Sequence, residues 1–306
     1  MSDAVAARLV VHADRRLAER VRDLAGQRMV FFAGLPGTGK SLLVHQLVHL
    51  AGAAGRTVHL LQWDVARPVF EASPAGQRYP LADGVTHAVI RRAAGLWVRA
   101  ALVQWNARHR QPEHLLVGET PFVGHRFIDL ARRIDDDAEA ILTASSCRFV
   151  IALPSREVRR FLEARRERRA VRPLHPRERE DAPPHVLRDL WANLAEISRG
   201  LELSASAAMT TGSGSPPVRV VGGETVPYDP VVYARVYERV LRHRNAECLA
   251  LDVILPTEQL SVYDFAVALH DLTPTEAEAE TFIREIERRY ADPAALEGEV
   301  ARWWET

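Results

Sequence analysis

Lysine, cysteine and long apolar runs are all scarce in this sequence of 306 residues. Cys147 and Cys248 are the two cysteines, and they lie far apart in sequence. Two cysteines are too few for a disulfide scaffold or a four-cysteine zinc site, and such a low number is typical of proteins in a reducing cytosol. No apolar run reaches the length that spans a membrane, and the first residues lack the apolar stretch of a signal peptide. We therefore expect a cytoplasmic protein without a membrane partner.

Net charge is also absent, because 40 acidic residues balance 40 basic ones. A neutral composition does not predict an electrostatic grip on nucleic acid or on an anionic membrane. Among the basic residues Lys40 is the one lysine, and all the others are arginines. The arginine bias is typical of a GC-rich genome, so the informative feature is the position of the exception.

Apolar strands alternate with helices along the chain. The strands are expected at 29–33, 57–63, 115–117, 148–153 and 248–255. The helices are expected at 4–25, about 40–52, 84–108, 156–172, 185–201, from Asp229-Pro230 onward and from about 275 to the end. Residues 204–217 indicate a loop and 218–226 a hairpin. This alternation predicts an α/β fold with a mainly parallel, five-stranded sheet covered on both faces.

The segment from Gly34 to Ser41 matches the pattern G-x-x-x-x-G-K-[ST] in full. Glycines let the backbone curl so that N–H groups point at phosphate oxygens, and the following helix presents its positive end to the same anion. Lys40 would reach the β- and γ-phosphates, and the Ser41 hydroxyl would bind Mg²⁺. The residues expected to bind the nucleotide are Gly34, Pro36, Gly37, Thr38, Gly39, Lys40, Ser41 and Leu42.

This segment resembles the Walker A motif of P-loop NTPases, between a strand and a helix as that family requires. Three elements of other subclasses are absent: N-K-x-D of Ras-type GTPases, the ABC signature, and the paired acids of AAA+ proteins. The remaining resemblance is to the nucleotide-kinase-like group. It implies a three-layer fold with a nucleotide-binding core at 1–154, a helical lid or insertion at 155–245, and the last core strand with C-terminal helices at 246–306.

The second expected strand ends in Trp63-Asp64, and Arg67 follows three residues after the acid. This arrangement is similar to adenylylsulfate kinases and zeta-toxin-like kinases. The resemblance implies that Asp64 deprotonates the acceptor hydroxyl and that Arg67 holds the acceptor. Asp64 would lie beside the γ-phosphate if its strand neighbours the strand before Gly34. The alternative is a strand-end aspartate that caps a loop, with Arg67 on the surface.

Glu119 follows the third expected strand, at the position that resembles Walker B of the same kinases, where an acid holds Mg²⁺ through water. Its alternative is an ordinary loop glutamate, and Asp252 at the last strand is a competing acid. After the fourth strand comes an arginine cluster, from which Arg156 and Arg160 are the expected lid residues that close over the phosphates. The alternative is a solvated helix with ion pairs between Arg156, Arg159, Arg160, Arg165, Arg166 and nearby glutamates.

The resulting expectation is a kinase that uses ATP and Mg²⁺ to phosphorylate a hydroxyl of a small molecule or nucleotide. A regulatory ATPase, whose nucleotide state controls a protein or RNA partner, is the alternative, and it predicts an exposed apolar patch near the lid. A kinase acting on RNA is a third possibility. The sequence names neither the acceptor nor an oligomeric state.

Overall fold

The protein has an α/β fold, seen in a computed structural model that describes residues 9–82, 84–207, 226–267 and 269–306, with backbone alone for 202–207. The strands are β1 (Met29–Ala33), β2 (Thr57–Gln62), β3 (His114–Thr120), β4 (Cys147–Pro154), β5 (Ala246–Leu251) and β6 (His270–Asp271). The α-helices of the described residues are α1 (Arg15–Ala25), α2 (Lys40–Ala53), α3 (Trp63–Ala72), α4 (Ala88–Arg108), α5 (Asp137–Thr143), α6 (Arg156–Val171), α7 (Pro184–Ala207), α8 (Pro230–Val240), α9 (Glu276–Arg289) and α10 (Pro293–Ala301).

The strands form one sheet in the order β5-β4-β1-β3-β2-β6, and every pair in it is parallel. The α/β class and the parallel pairing are therefore confirmed. The expected count of five strands is wrong, because the described residues contain six. The sixth strand, β6, is a two-residue element that pairs with β2 at the edge of the sheet.

The sheet separates two apolar layers. Val30 and Phe32 of β1 pack with α1 and α2 on one face, whereas Phe31 and Ala33 pack with α4 and α8 on the other. All residues of β1 are buried. A parallel strand covered on both faces carries a continuous apolar run, which is why the sequence at this strand shows no alternation.

Capping side chains determine where several helices begin. Asp14 accepts a hydrogen bond from Leu17 N, and Ser155 accepts one from Val158 N. The expected start at Asp229-Pro230 is confirmed, since the Asp229 carboxylate accepts bonds from two N–H groups of α8. Thr275 and Glu278 form a capping box at α9.

Several expected boundaries differ from the structure. The helix expected at 4–25 begins at Arg15, since Asp14 ends a 3₁₀ turn (Val10–Ala13), while residues 1–8 lie outside the described part. The last long strand ends at Leu251 and not at 255. Helix α7 continues through Ala207 into the expected loop, whose remainder, with nearly all of the expected hairpin, lies outside the described residues.

Helix α3 directly follows β2, whereas the sequence predicted that the strand continues to 63. Trp63 is the first residue of the helix, and its side chain is buried. The buried ring thus lies where β2 passes directly into α3 without an intervening loop. Among the described residues no helix combines the length and the apolar character needed to cross a membrane.

Candidate functional site

The glycine-rich loop, residues 34–41, connects β1 to α2. Its three glycines, Gly34, Gly37 and Gly39, all have positive φ. A Cβ at Gly34 would collide with the hydroxyl of Tyr233, which accepts a hydrogen bond from Leu35 N at 3.1 Å. The loop therefore needs glycine both for its backbone conformation and for the close approach of Tyr233.

Lys40 lies at the centre of the site, with its side chain 3% exposed. Its ammonium donates to the carbonyl of Leu35 at 2.8 Å and lies 3.7 Å from Glu119 Oε1. The hydroxyl of Ser41 donates to the same carboxylate oxygen at 3.1 Å. Lys40, Ser41 and Glu119, which the sequence assigned to phosphate and metal, thus form one contact cluster.

The topology of the sheet explains why these residues meet. Strands β1 and β3 are neighbours, and Phe32 lies opposite Glu119. After β1 the chain packs α2 on one face of the sheet, whereas after β3 it packs α5 on the other. Ligands of parallel α/β sheets bind beyond the carboxyl ends of the strands at such a switch point. The contact cluster occupies this position.

Burial disfavours both charges of the cluster. It lowers the pKa of Lys40, although the Glu119 and Asp64 carboxylates oppose this shift. It raises the pKa of Glu119, although Lys40 opposes that shift. A phosphate next to Lys40 and a cation next to Glu119 would each oppose these shifts and favour the charged form. The electrostatics therefore favour a ligand that carries an anion and a cation together.

Helix α2 offers a further anion site at its first turn. Its N-cap residue is Gly39, which makes no side-chain cap. The first N–H groups of an uncapped helix need an acceptor from elsewhere, and the helix dipole favours a negative one. These groups belong to Lys40, Ser41 and Leu42, so the backbone supports the same anion as the Lys40 side chain.

Asp64 lies in the first turn of α3, exposed to solvent. Its strand β2 does not neighbour β1, since β3 lies between them, so the condition placed on the sequence prediction is not met. The Asp64 carboxylate is nevertheless close enough to act on the charges of Lys40 and Glu119. Arg67 lies one turn further on α3 and contacts Glu71 at 3.4 Å.

Arg126 is an arginine of this site that the sequence reasoning missed. Burial lowers the pKa of its guanidinium, Asp64 opposes that shift, and Arg67 adds to it. Its charge also acts on Lys40. Arg126 thus belongs to the same charged group as Asp64, Arg67 and Lys40, on the side of the site formed by the segment after β3.

The segment that carries Arg126 has an unusual backbone. Phe122, His125 and Phe127 all have positive φ although none is glycine, and their side chains are buried. Such conformations cost on the order of 1–3 kcal/mol each and persist where the surroundings enforce them. Buried Arg92 supplies part of that support by donating to Asp129 at 2.5 Å, just beyond the segment.

Arg159 is the arginine of α6 that reaches the glycine-rich loop. Its side chain is 1% exposed, and Nη1 donates to the carbonyl of Gly37 at 3.3 Å. Nε donates to Glu163 at 2.6 Å, while the buried Nη2 has no hydrogen-bond partner among the described residues. An anion at the loop would supply that missing acceptor.

The expected lid pair has other contacts. Arg156 is exposed and donates to Asp229 at 2.8 Å, and exposed Arg160 donates to the Arg156 carbonyl at 3.4 Å. Asp252, the competing acid, is exposed just beyond β5, which β4 separates from β1. Glu119, which contacts both Lys40 and Ser41, therefore has the position that suits a magnesium-side acid.

An apolar cleft adjoins the helical end of the loop. It lies between α6 and the chain after β5, and its lining includes Gly39, Leu42, Phe161, Val253 and Ile254. Val253 and Ile254 are 44% and 38% exposed. The cleft places an apolar lining next to the loop.

Comparison with known proteins finds no match: no family model, no curated protein and no solved structure is significantly similar to this chain. Any inference about the chemistry of the site therefore rests on the geometry of the site itself.

Proposed function

We propose that this protein is a kinase with a P-loop NTPase fold, which transfers the γ-phosphoryl group of ATP to a hydroxyl of a small molecule or nucleotide. A cytoplasmic location is part of the proposal. The observation that carries it is the convergence of Lys40, Ser41 and Glu119 at the switch point of the sheet, with Asp64 close enough to act on their charges.

The glycine-rich loop suits a triphosphate. Lys40 would hold charge on the β- and γ-phosphates, and the first N–H groups of α2 would donate hydrogen bonds to the same anion. Two observations support the fit: the Lys40 ammonium is buried, so that an anion beside it would oppose the lowering of its pKa, and Nη2 of Arg159 is buried without an acceptor among the described residues. The apolar cleft beside Gly39 would take the base, which would explain the exposed Val253 and Ile254.

Ser41 and Glu119 would hold magnesium, since a hydroxyl and a carboxylate are the oxygen ligands that Mg²⁺ prefers. Their shared hydrogen bond keeps both oxygens at one point beside Lys40. The metal would neutralise charge that develops on the transferred group. Glu119 would then be ionised, against the effect of its burial.

Asp64 is the proposed base. It would take the proton of the acceptor hydroxyl while the acceptor oxygen forms a bond to the γ-phosphorus and the bond to the β–γ bridging oxygen breaks. Arg126, on which the charges of Asp64 and Arg67 both act, would hold an anionic acceptor together with Arg67. Arg159, buried against Gly37, would stabilise the charge on the phosphates.

A transfer assay tests the proposal. Protein is incubated with γ-labelled ATP, magnesium and a protein-free metabolite extract, with Asp64→Asn as the matched variant. We expect label in a new small molecule with the wild-type protein and none with Asp64→Asn. Transfer at the wild-type rate by Asp64→Asn would remove Asp64 as the base.

A regulatory ATPase is the second candidate, and one observation favours it. Val171, the last residue of α6, and Leu174, three residues later, are 81% and 52% exposed, and exposed apolar side chains in the segment expected to form the lid favour a protein partner. In the same assay this candidate predicts label in inorganic phosphate alone, unaffected by the extract. That result would direct the search to a protein or RNA partner.

A further inference from the structure

A cluster of histidines lies at the other end of the sheet from the glycine-rich loop. His59 is on β2, His114 begins β3, and His109 follows α4. Each of the three offers one ring nitrogen such that these atoms all lie within 4.8 Å of one another. We propose that His59, His109 and His114 form a binding site for a divalent transition metal ion of the zinc class.

The fold brings these rings together on one face of the sheet. His114 pairs with Thr57 in the register of β2 and β3, so His59 lies two residues along the neighbouring strand and projects to the same side. The chain returning from α4 places His109 over the pair, with ring centroids 4.4 Å from His59 and 4.6 Å from His114. Three separate segments thus supply the three imidazoles.

The distances suit a tetrahedral ion. With metal–nitrogen bonds of about 2.0–2.1 Å, two ligand nitrogens of such an ion lie about 3.3 Å apart. Nε2 of His59 and Nδ1 of His114 are 3.1 Å apart. The ion would replace the single N–H···N contact that now joins them, and a small rotation of His109 would complete three ligands.

The surroundings suit neutral imidazoles, the form that binds metal. His59 is buried, and burial favours the neutral form of an imidazole. Trp105 packs against His59 and His109 and forms an apolar wall. His109 and His114 are partly exposed, which leaves a path for the ion.

A fourth position would remain open for water or for His270. The ring of His270, on β6, lies 6.1 Å from that of His59. Imidazole sites favour Zn²⁺, Cu²⁺ and Ni²⁺ over Mg²⁺, which prefers oxygen ligands. This site would therefore be independent of the magnesium proposed at Ser41 and Glu119, and it does not depend on the proposed kinase activity.

Calorimetric titration with Zn²⁺ tests the proposal, on chelator-treated full-length protein in excess Mg²⁺. We expect one equivalent to bind, with X-ray absorption reporting nitrogen ligands at about 2.0–2.1 Å. Loss of a residue that only orients a ligand weakens metal binding 10–100-fold, so His109→Asn and His114→Asn should each weaken it by at least about 100-fold. His185→Asn, at an exposed histidine on α7, is the matched control and should bind as the wild type does.

Circular dichroism checks that each variant is folded, and His109→Asn, outside the strands, keeps the test valid if His114→Asn does not fold. Absence of Zn²⁺ binding by the wild type would overturn the proposal. So would retention of the wild-type affinity by folded His109→Asn, or a metal shell made of oxygen or sulfur ligands.

Discussion

Tyr233 connects α8 to the glycine-rich loop, and its replacement by phenylalanine tests how that loop is held. The buried hydroxyl accepts a hydrogen bond from Leu35 N at 3.1 Å and is also hydrogen-bonded to the side chain of Thr38. Tyr233→Phe leaves the Leu35 N–H group buried without an acceptor, at a cost of about 1–3 kcal/mol. We expect the free energy of unfolding to fall by that amount, which urea denaturation reports as a lower midpoint at an unchanged m-value.

The loop should also lose its fixed position in Tyr233→Phe. If ordering the loop then costs about 1–2 kcal/mol of binding free energy when a nucleotide binds, ATP affinity falls ~5–30-fold. Calorimetry measures this affinity. Tyr237→Phe is the matched control, because Tyr237 is equally buried one turn later on α8 but donates to the Pro121 carbonyl at 3.1 Å. It should lose similar stability and retain ATP affinity.

Wild-type stability in Tyr233→Phe would show that the hydroxyl of Tyr233 does not hold the loop, because a buried N–H group without an acceptor would then cost nothing. Equal losses of ATP affinity in Tyr233→Phe and Tyr237→Phe would show that the effect is general destabilisation. Tyr233 would then have no specific role at the loop.

Three further predictions concern the proposed base Asp64, the buried Arg159 and the pH dependence of stability. Asp64→Asn should lower phosphoryl transfer by about 10²–10⁴-fold in the labelled-ATP assay while calorimetry shows unchanged ATP binding. Arg159→Met should lower transfer efficiency by ~10–100-fold, since a hydrogen bond from a charged group contributes about 1.5–3 kcal/mol, whereas Arg160→Met should retain it. Burial lowers the pKa of His45 from 6.5 to about 4 in the folded protein. As pH falls, His45 therefore binds a proton in the unfolded protein before it does so in the folded one. The stability from neutral His45 is therefore complete above pH 6.5 and is lost between pH 6.5 and 4. At pH 5 that loss is about 2 kcal/mol, and denaturation of His45→Gln should lack it.

The central strands could be predicted from sequence because their signal is local. The apolar run at 29–33 and the glycines after it indicate a buried strand and a turn without any tertiary information. Strand β6 could not be predicted, since two residues carry no pattern and pairing with β2 alone defines the strand. Helix α3 was missed because it follows β2 without a capping side chain and contains Pro68.

The residues of the site also separate into those with a local sequence signal and those without one. Lys40 and Ser41 belong to one contiguous motif, and the structure brings Glu119 to them as the sequence analysis expected. Arg159 differs from Arg156 and Arg160 in the face of α6 on which it lies, and that face decides which arginine is buried. No local sequence pattern indicates which face is buried.

Arg126 and Tyr233 come from segments far from the loop in sequence. The signal for Arg126 was a single charge within the apolar stretch 121–128, which indicates a guanidinium placed among buried residues. Tyr233 gave no signal, because its role depends on the packing of α8 against a glycine that lies 199 positions earlier, at Gly34.

Every step of the proposed function requires that the glycine-rich loop binds a nucleotide, and calorimetry of ATP with magnesium on wild-type protein and Lys40→Ala measures this. Lys40 is the single lysine of the chain, and its ammonium lies in the loop and not in the apolar core. We expect binding by the wild type and ~10–100-fold weaker binding by a folded Lys40→Ala. If the wild type does not bind ATP, or if the folded variant binds it with equal affinity, the assignment of this loop to nucleotide binding is wrong.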